Sequence, residues 1–165
     1  MMKTVCVTGH RPAKLPWKYT QEGPDFDEYI EALACTIAEY IENGYEHFVS
    51  GMALGVDMDF AEIVLDLKRQ YGLNITLECA IPCPNQTAKW PAAQVARYEK
   101  ILAQADTVTM VNDHYFRACM LVRNEYMVDK SNTVLAVWNG IEEGGTWQTI
   151  KYAKNKGKIV DIINI

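Results

Sequence analysis

The chain has 165 residues, 49% of them apolar and 22% charged, with a formal net charge of −5 and an isoelectric point near 5.2. Its length is enough to bury roughly 70% of the unfolded surface, which suits one domain with one core over residues 1–165. No apolar run approaches the roughly 20 residues of a membrane span, and an acidic chain lacks the basic face on which a general nucleic-acid binder depends.

Residues 4–8 read as a first, fully buried strand, because their apolar side chains do not alternate with polar ones. A helix is predicted over 27–43, where Tyr29, Ile30, Leu33, Ile37, Tyr40 and Ile41 recur at helical spacing and Asn43-Gly44 supplies the stop. Residues 47–50 form a second strand, and 56–71 a second helix ending at Gly72. A third strand over 75–81 is halted by Pro82 and Pro84. Then follow a helix over 92–105, a strand over 107–111, a helix over 118–130, a strand over 133–138, a helix over 146–155 and a last strand over 158–163. This alternation predicts an α/β, Rossmann-like fold: a mostly parallel, twisted sheet of about six strands with helices on both faces. In such a sheet ligands sit beyond the carboxyl ends of the strands, near the point where strand order reverses.

The unusual polar residues all fall at those ends. Two glycine-rich turns, residues 50–57 and 140–146, each follow an apolar run and open into a helical pattern. Glycine has no Cβ, so such a turn lets the first amides of a helix face an anion closely. The first turn offers Ser50, Gly51, Gly55 and Asp57. The Asp57 carboxylate either caps its helix or accepts a hydrogen bond from a ribose hydroxyl, while capping suits Asp59 better. The turn is neither a Walker A loop nor G-x-G-x-x-G. The second turn offers Gly144, Gly145 and Thr146, whose amides and hydroxyl make a phosphate cradle. After the first strand come Gly9, His10 and Arg11. Arg11 is suited to a bidentate phosphate or carboxylate contact, and Trp17 is either a cover over the ligand or a hydrophobic plug. Arg123 and Asn124 lie among apolar neighbours and are expected to point inward at an anion.

Five cysteines are an odd number, and Cys79 and Cys83 stand as C-x3-C with no second pair and no nearby histidine. Reduced thiols and no metal site are therefore expected. With no signal-peptide pattern at the start, the expected location is the cytoplasm. The lysines Lys151, Lys154, Lys156 and Lys158 suit the C-terminal end of a helix.

The segments Cys6-Val7-Thr8-Gly9-His10-Arg11-Pro12 with Lys14-Leu15-Pro16-Trp17, Ser50-Gly51 with Gly55-Val56-Asp57, and Gly144-Gly145-Thr146-Trp147-Gln148-Thr149 together resemble the YpsA-like family of small bacterial proteins. That family belongs to the SLOG superfamily, named for DNA-processing protein A and the lonely guy proteins. The resemblance covers nearly the whole chain, and it implies a Rossmann-like domain that binds a nucleotide or nucleotide derivative at the strand ends. The turn at 50–57 looks like the S-G-x-A-x-G-x-D turn of the DNA-processing proteins. Gly144-Gly145-Thr146 looks like the end of the P-G-G-x-G-T turn of the lonely guy phosphoribohydrolases. In those hydrolases a glutamate three residues after the turn assists N-glycosidic cleavage. Here Thr149 stands there, or Gln148 with a one-residue shift, and no proline precedes the glycines. Glu142 and Glu143, just before the glycines, either substitute for that glutamate or are solvated loop carboxylates, the latter suiting an exposed loop better.

These readings converge on a cytoplasmic nucleotide-binding protein, in one version a sensor, with a nucleotide or phosphorylated small molecule as partner and no certain cofactor. One alternative is an N-glycosidic hydrolase of nucleoside monophosphates, with Asp57 or Glu125 as the catalytic carboxylate. Others are a single-stranded DNA binder, which the acidic charge disfavours, and a protein-interaction adaptor using Trp17, Trp90, Tyr115 and Trp147 as exposed aromatics. The superfamily also suggests a homodimer.

Overall fold

The computed structural model describes residues 2–165. Six strands run Lys3–Gly9 (β1), Tyr45–Ser50 (β2), Thr76–Ile81 (β3), Thr107–Met110 (β4), Thr133–Trp138 (β5) and Ile159–Asn164 (β6). Five helices run Pro24–Glu42 (α1), Val56–Tyr71 (α2), Ala92–Gln104 (α3), Cys119–Lys130 (α4) and Gly144–Asn155 (α5), with a short 3-10 turn at Pro12–Lys14. All strand pairs are parallel, in the order β4-β3-β2-β1-β5-β6. The chain steps outward from β1 to β4, then crosses back through α4 to place β5 on the other side of β1. Strand order therefore reverses between β1 and β5, where a crevice opens at the carboxyl ends.

The expected α/β, Rossmann-like sheet is the one observed, and most bounds differ by a residue or two. Two helices start earlier than apolar periodicity implied. Helix α1 begins at Pro24, whose fixed φ suits the first helical position, with Asp25 and Asp27 in the first turn. Helix α5 begins at Gly144, so the double glycine forms its first turn instead of preceding it.

Helices α1, α2 and α3 pack on one face of the sheet, and α4 and α5 on the other. The larger core lies under the first group, where Val5, Val7, Leu33, Ile37, Phe48, Phe60 and Leu77 are fully buried. Trp17 joins it, only 7% exposed and stacked on Tyr29 with ring centroids 4.6 Å apart. Trp17 is thus the plug and not the ligand cover. The strap of residues 10–23 after β1 is anchored by that indole and by Leu15.

Asp59 does not cap α2, contrary to expectation. It sits one turn inside, 4% exposed, and accepts hydrogen bonds from the Tyr29 hydroxyl at 2.8 Å and the Arg97 guanidinium at 2.6 Å. A carboxylate that finds a phenol and a guanidinium on neighbouring helices has no need of its own backbone amides. Under α4, Glu78 of β3 is fully buried and accepts from His47, Thr109, Tyr126 and Lys130. That cluster ties α4 to strands β2, β3 and β4.

Candidate functional site

A cavity of about 310 Å³ occupies the crevice at the reversal point. Of the residues expected at a site, the structure brings Gly9, His10, Arg11, Asp57, Arg123, Asn124, Gly145 and Thr146 to its wall. Ser50, Gly51, Gly55, Gly144 and Glu125 do not line it. The Glu125 carboxylate instead acts on Tyr152 of α5, so it does not share the cavity with Asp57.

The glycines divide into two kinds. A methyl group added at Gly9 would stand 2.6 Å from Val56 carbons. One at Gly51 would stand 2.7 Å from the Arg123 guanidinium, and one at Gly55 2.7 Å from the His10 carbonyl oxygen. Gly55 also holds φ at +93°, which L side chains avoid. A side chain has no room at these three positions, although Gly9 itself lines the cavity. Gly145 is different: it lines the cavity, and a methyl group added there would meet nothing within 4 Å. Gly9→Ala is accordingly expected to destabilise the fold by about 1–3 kcal/mol through overpacking. Urea unfolding would measure it, and a loss under about 0.5 kcal/mol, the range of an ordinary surface substitution, would mean that β1 and α2 are not held together at Gly9.

The 50–57 turn is braced from three sides. The Ser50 hydroxyl donates to the Asp57 carbonyl at 2.7 Å and accepts from the Met52 amide at 3.2 Å. The Gln86 side-chain amide donates to the Met52 carbonyl at 2.5 Å, and Arg123 Nη1 donates to the Gly51 carbonyl. These bonds hold buried Met52 at φ +57°, a conformation costing roughly 1–2 kcal/mol for a residue other than glycine. Asp57 Oδ2 accepts the Ala53 amide at 3.2 Å, and the Val56 amide is turned to the His10 carbonyl at 3.5 Å. This turn therefore presents a carboxylate to the cavity, and three of its amides, those of Met52, Ala53 and Val56, are directed to protein acceptors.

Charge is unevenly distributed around the cavity. Asp57 is 6% exposed, and burial pushes its carboxyl above the usual range against the pull of Arg123. Arg123 is 3% exposed; burial lowers its basicity, partly offset by Asp57. Its Nε donates to Asn124 Oδ1 at 2.8 Å, while Nη2 has only the Met120 sulfur at 4.0 Å. Among the described residues no carboxylate lies within salt-bridge distance of Arg123, Arg11 or Lys14. His10 Nε2 accepts the Asn139 amide at 3.2 Å, so Nδ1 carries the proton of a neutral ring. Burial and the Lys14 charge hold that imidazole below its ordinary value. At α5 the amides of Gly145 and Thr146 belong to an N-terminus that no side chain caps.

Lys14 and Ala53 line the cavity and were not singled out from sequence. A lysine in the loop after the first strand was the available signal for Lys14; Ala53 carries none. The aromatics expected to be exposed behave otherwise. Only Tyr115 is open, at 62%, while Trp90 packs on Tyr98 and Trp147 stacks on Trp138. Among the described residues no three histidine, cysteine, aspartate or glutamate side chains are grouped to hold a metal ion, and no helix is long and apolar enough to cross a membrane. The five cysteines are free thiols.

Residues 5–163 match the model of the YspA SLOG family. Curated relatives include UPF0398 proteins of Bacillus thuringiensis (strain Al Hakam) and Bacillus cereus (strain B4264). Each is 28% identical over 160 residues, covering 96% of this chain and 86% of the relative. Among solved structures, DNA processing protein A from Helicobacter pylori, studied for its single-stranded DNA binding mode, is similar in fold. The TM-score is 0.66 at 19% identity, over 97% of this chain, which spans 64% of that protein's chain.

Proposed function

The chain belongs to the YspA SLOG family, and from that premise we propose that its 165 residues act as one nucleotide-binding domain, a sensor or carrier of a nucleotide or nucleotide derivative. The observation that carries the reading is the buried guanidinium of Arg123, which lines a cavity and, among the described residues, has no carboxylate within salt-bridge distance, Asp57 acting on it only from further away. A buried cation so weakly compensated gains from an anion beside it. In this reading the ligand phosphate lies on the Gly145 and Thr146 amides, Arg11 and Arg123 neutralise it, and Asp57 accepts a ribose hydroxyl.

A second reading, N-glycosidic hydrolysis, is favoured by one observation: Asp57 is a buried carboxylate with raised pKa facing the cavity. Glu125 has no part in it. The fold likeness to DNA processing protein A supports a third, polynucleotide version, which the net charge of −5 opposes.

The test is a thermal-shift panel of nucleoside monophosphates, dinucleotides and a single-stranded oligonucleotide, with each mixture analysed by mass spectrometry. A hundredfold excess over Kd is expected to stabilise the fold by about 2.7 kcal/mol, roughly 5–10 °C in Tm. An unchanged ligand supports binding alone, a released base supports hydrolysis, and no shift with any member overturns the nucleotide reading. Gly145→Ala sharpens the result. The open methyl position and the better helix propensity of alanine predict unchanged or slightly higher stability, by up to ~1 kcal/mol. Binding is nevertheless expected to weaken at least about tenfold, a loss of about 1.4 kcal/mol, because the methyl occupies the cradle.

A further inference from the structure

We infer that the α5 end of the cavity is a cradle for a terminal phosphate group, clamped by Lys14; this rests on the nucleotide reading above. Two close approaches bring the strap over this end. The strap after β1 is hydrogen-bonded to the segment after β5, His10 Nε2 receiving the Asn139 amide at 3.2 Å. Further along, Lys14 Nζ lies 3.0 Å from the position of a methyl group at Gly144, the first residue of α5. Strap and helix start therefore approach each other on that side, with the Lys14 ammonium next to the first residue of α5.

The charges say what this end receives. An ammonium placed at a helix N-terminus sets two positive groups against each other, since the macrodipole there favours anions. Among the described residues neither Lys14 nor the buried Arg123 has a carboxylate within salt-bridge distance, although both line the same cavity. Gly145 lines that cavity too, with open space where a Cβ would stand. A dianion on the Gly145 and Thr146 amides, under the Lys14 ammonium, satisfies all three groups at once. A phosphate monoester carries close to two negative charges at neutral pH, with a second pKa near 6. An internal phosphodiester carries one charge and has to continue in both directions, past the His10–Asn139 hydrogen bond and the Lys14 side chain. The ligand thus enters phosphate first. A free nucleoside monophosphate and the phosphorylated end of an oligonucleotide share this chemistry.

The experiment measures Kd calorimetrically for wild type, Lys14→Met and Lys14→Arg. The probes are the 5′-monophosphates of adenosine, guanosine, cytidine and uridine, the four nucleosides, and a diadenosine dinucleotide with and without a 5′-terminal phosphate. Lys14 is exposed, so the variants are expected to melt as wild type does without ligand. In wild type at least one monophosphate should bind about tenfold or more tighter than its nucleoside. Lys14→Met should erase most of that gain while leaving nucleoside binding unchanged, and Lys14→Arg should restore part of it. The gain in wild type should also shrink as pH falls through about 6, when the monoester takes up its second proton.

Binding of the phosphorylated dinucleotide beside the monophosphate places an oligonucleotide end among the ligands, and its failure restricts them to the free nucleotide; both results keep the cradle. Equal monophosphate affinity in wild type and Lys14→Met overturns the clamp, and equal binding of the two dinucleotides overturns selection of a terminal phosphate. Either leaves the nucleotide reading standing. If wild type binds none of the probes, that reading falls and the cradle with it.

Discussion

Arg123→Met is expected to lower stability by about 1–3 kcal/mol and to abolish ligand binding, a double effect on fold and site. Three consequences follow. The carbonyl of buried Gly51 loses its guanidinium donor, and an orphaned buried acceptor costs about 1–3 kcal/mol. Asp57 loses the cation that most lowers its carboxyl pKa, so that pKa is expected to rise further. The left-handed Met52 backbone then rests on Ser50 and Gln86 alone. Because Arg123 and Asp57 share this environment, their substitutions should not add. Asp57→Asn in the Arg123→Met background is expected to recover about 1 kcal/mol or more, measured by urea unfolding of all four proteins in a double-mutant cycle. Strict additivity would mean that Arg123 does not compensate Asp57, and the case for a shared anion site would weaken with it.

The second large effect lies outside the cavity. Glu78→Ala is expected to cost about 3–5 kcal/mol, because the fully buried carboxylate collects His47, Thr109, Tyr126 and Lys130 around one point. Burial alone would raise its pKa, but the hydrogen bonds from His47, Lys130, Tyr126 and Thr109 outweigh burial and hold it well below the ordinary range. The sign of the pH dependence follows. A carboxylate depressed in the folded state contributes stability above its unfolded pKa and loses it as acid protonates it. The stability gap between wild type and Glu78→Ala should therefore be full at neutral pH and narrow below about pH 4.3, the ordinary glutamate value. Taking the difference cancels Asp57 and Asp59, whose burial-raised carboxyls act in the opposite sense. A gap that stays constant from neutral pH down to about pH 3 would show that the cluster works by packing and not by charge. Since Tyr126 and Lys130 belong to α4, the same variant should loosen the helix that carries Arg123.

The elements were legible because each is a local matter. The buried run of β1, the helical spacing in α1 and the left-handed Gly72 that ends α2 are all written within one segment. Alternating strands and helices then admit few topologies, given right-handed crossovers. The clustering of unusual residues at strand ends was legible for the same reason, and eight of them meet at the cavity wall. The starts of α1 and α5 were not, since apolar periodicity is silent where the first turn is polar or glycine.

The sequence by itself determined a parallel α/β sheet, a glycine-marked turn after β2 and another before α5, and a carboxylate at the first. Only the tertiary structure decided which glycines have room for a side chain. Gly9, Gly51 and Gly55 are filled by Val56, Arg123 and the His10 carbonyl, groups far away in sequence or on the next element, whereas Gly145 is met by nothing. It also separated Asp57 from Glu125, sent Asp59 to Tyr29 and Arg97, buried Trp17 and placed Lys14 against α5. The physical reason is common to these cases. Backbone propensity and periodicity act over a few residues, but whether a polar group meets protein or open space depends on how α4 crosses back and how the strap folds over the β1–β5 crevice.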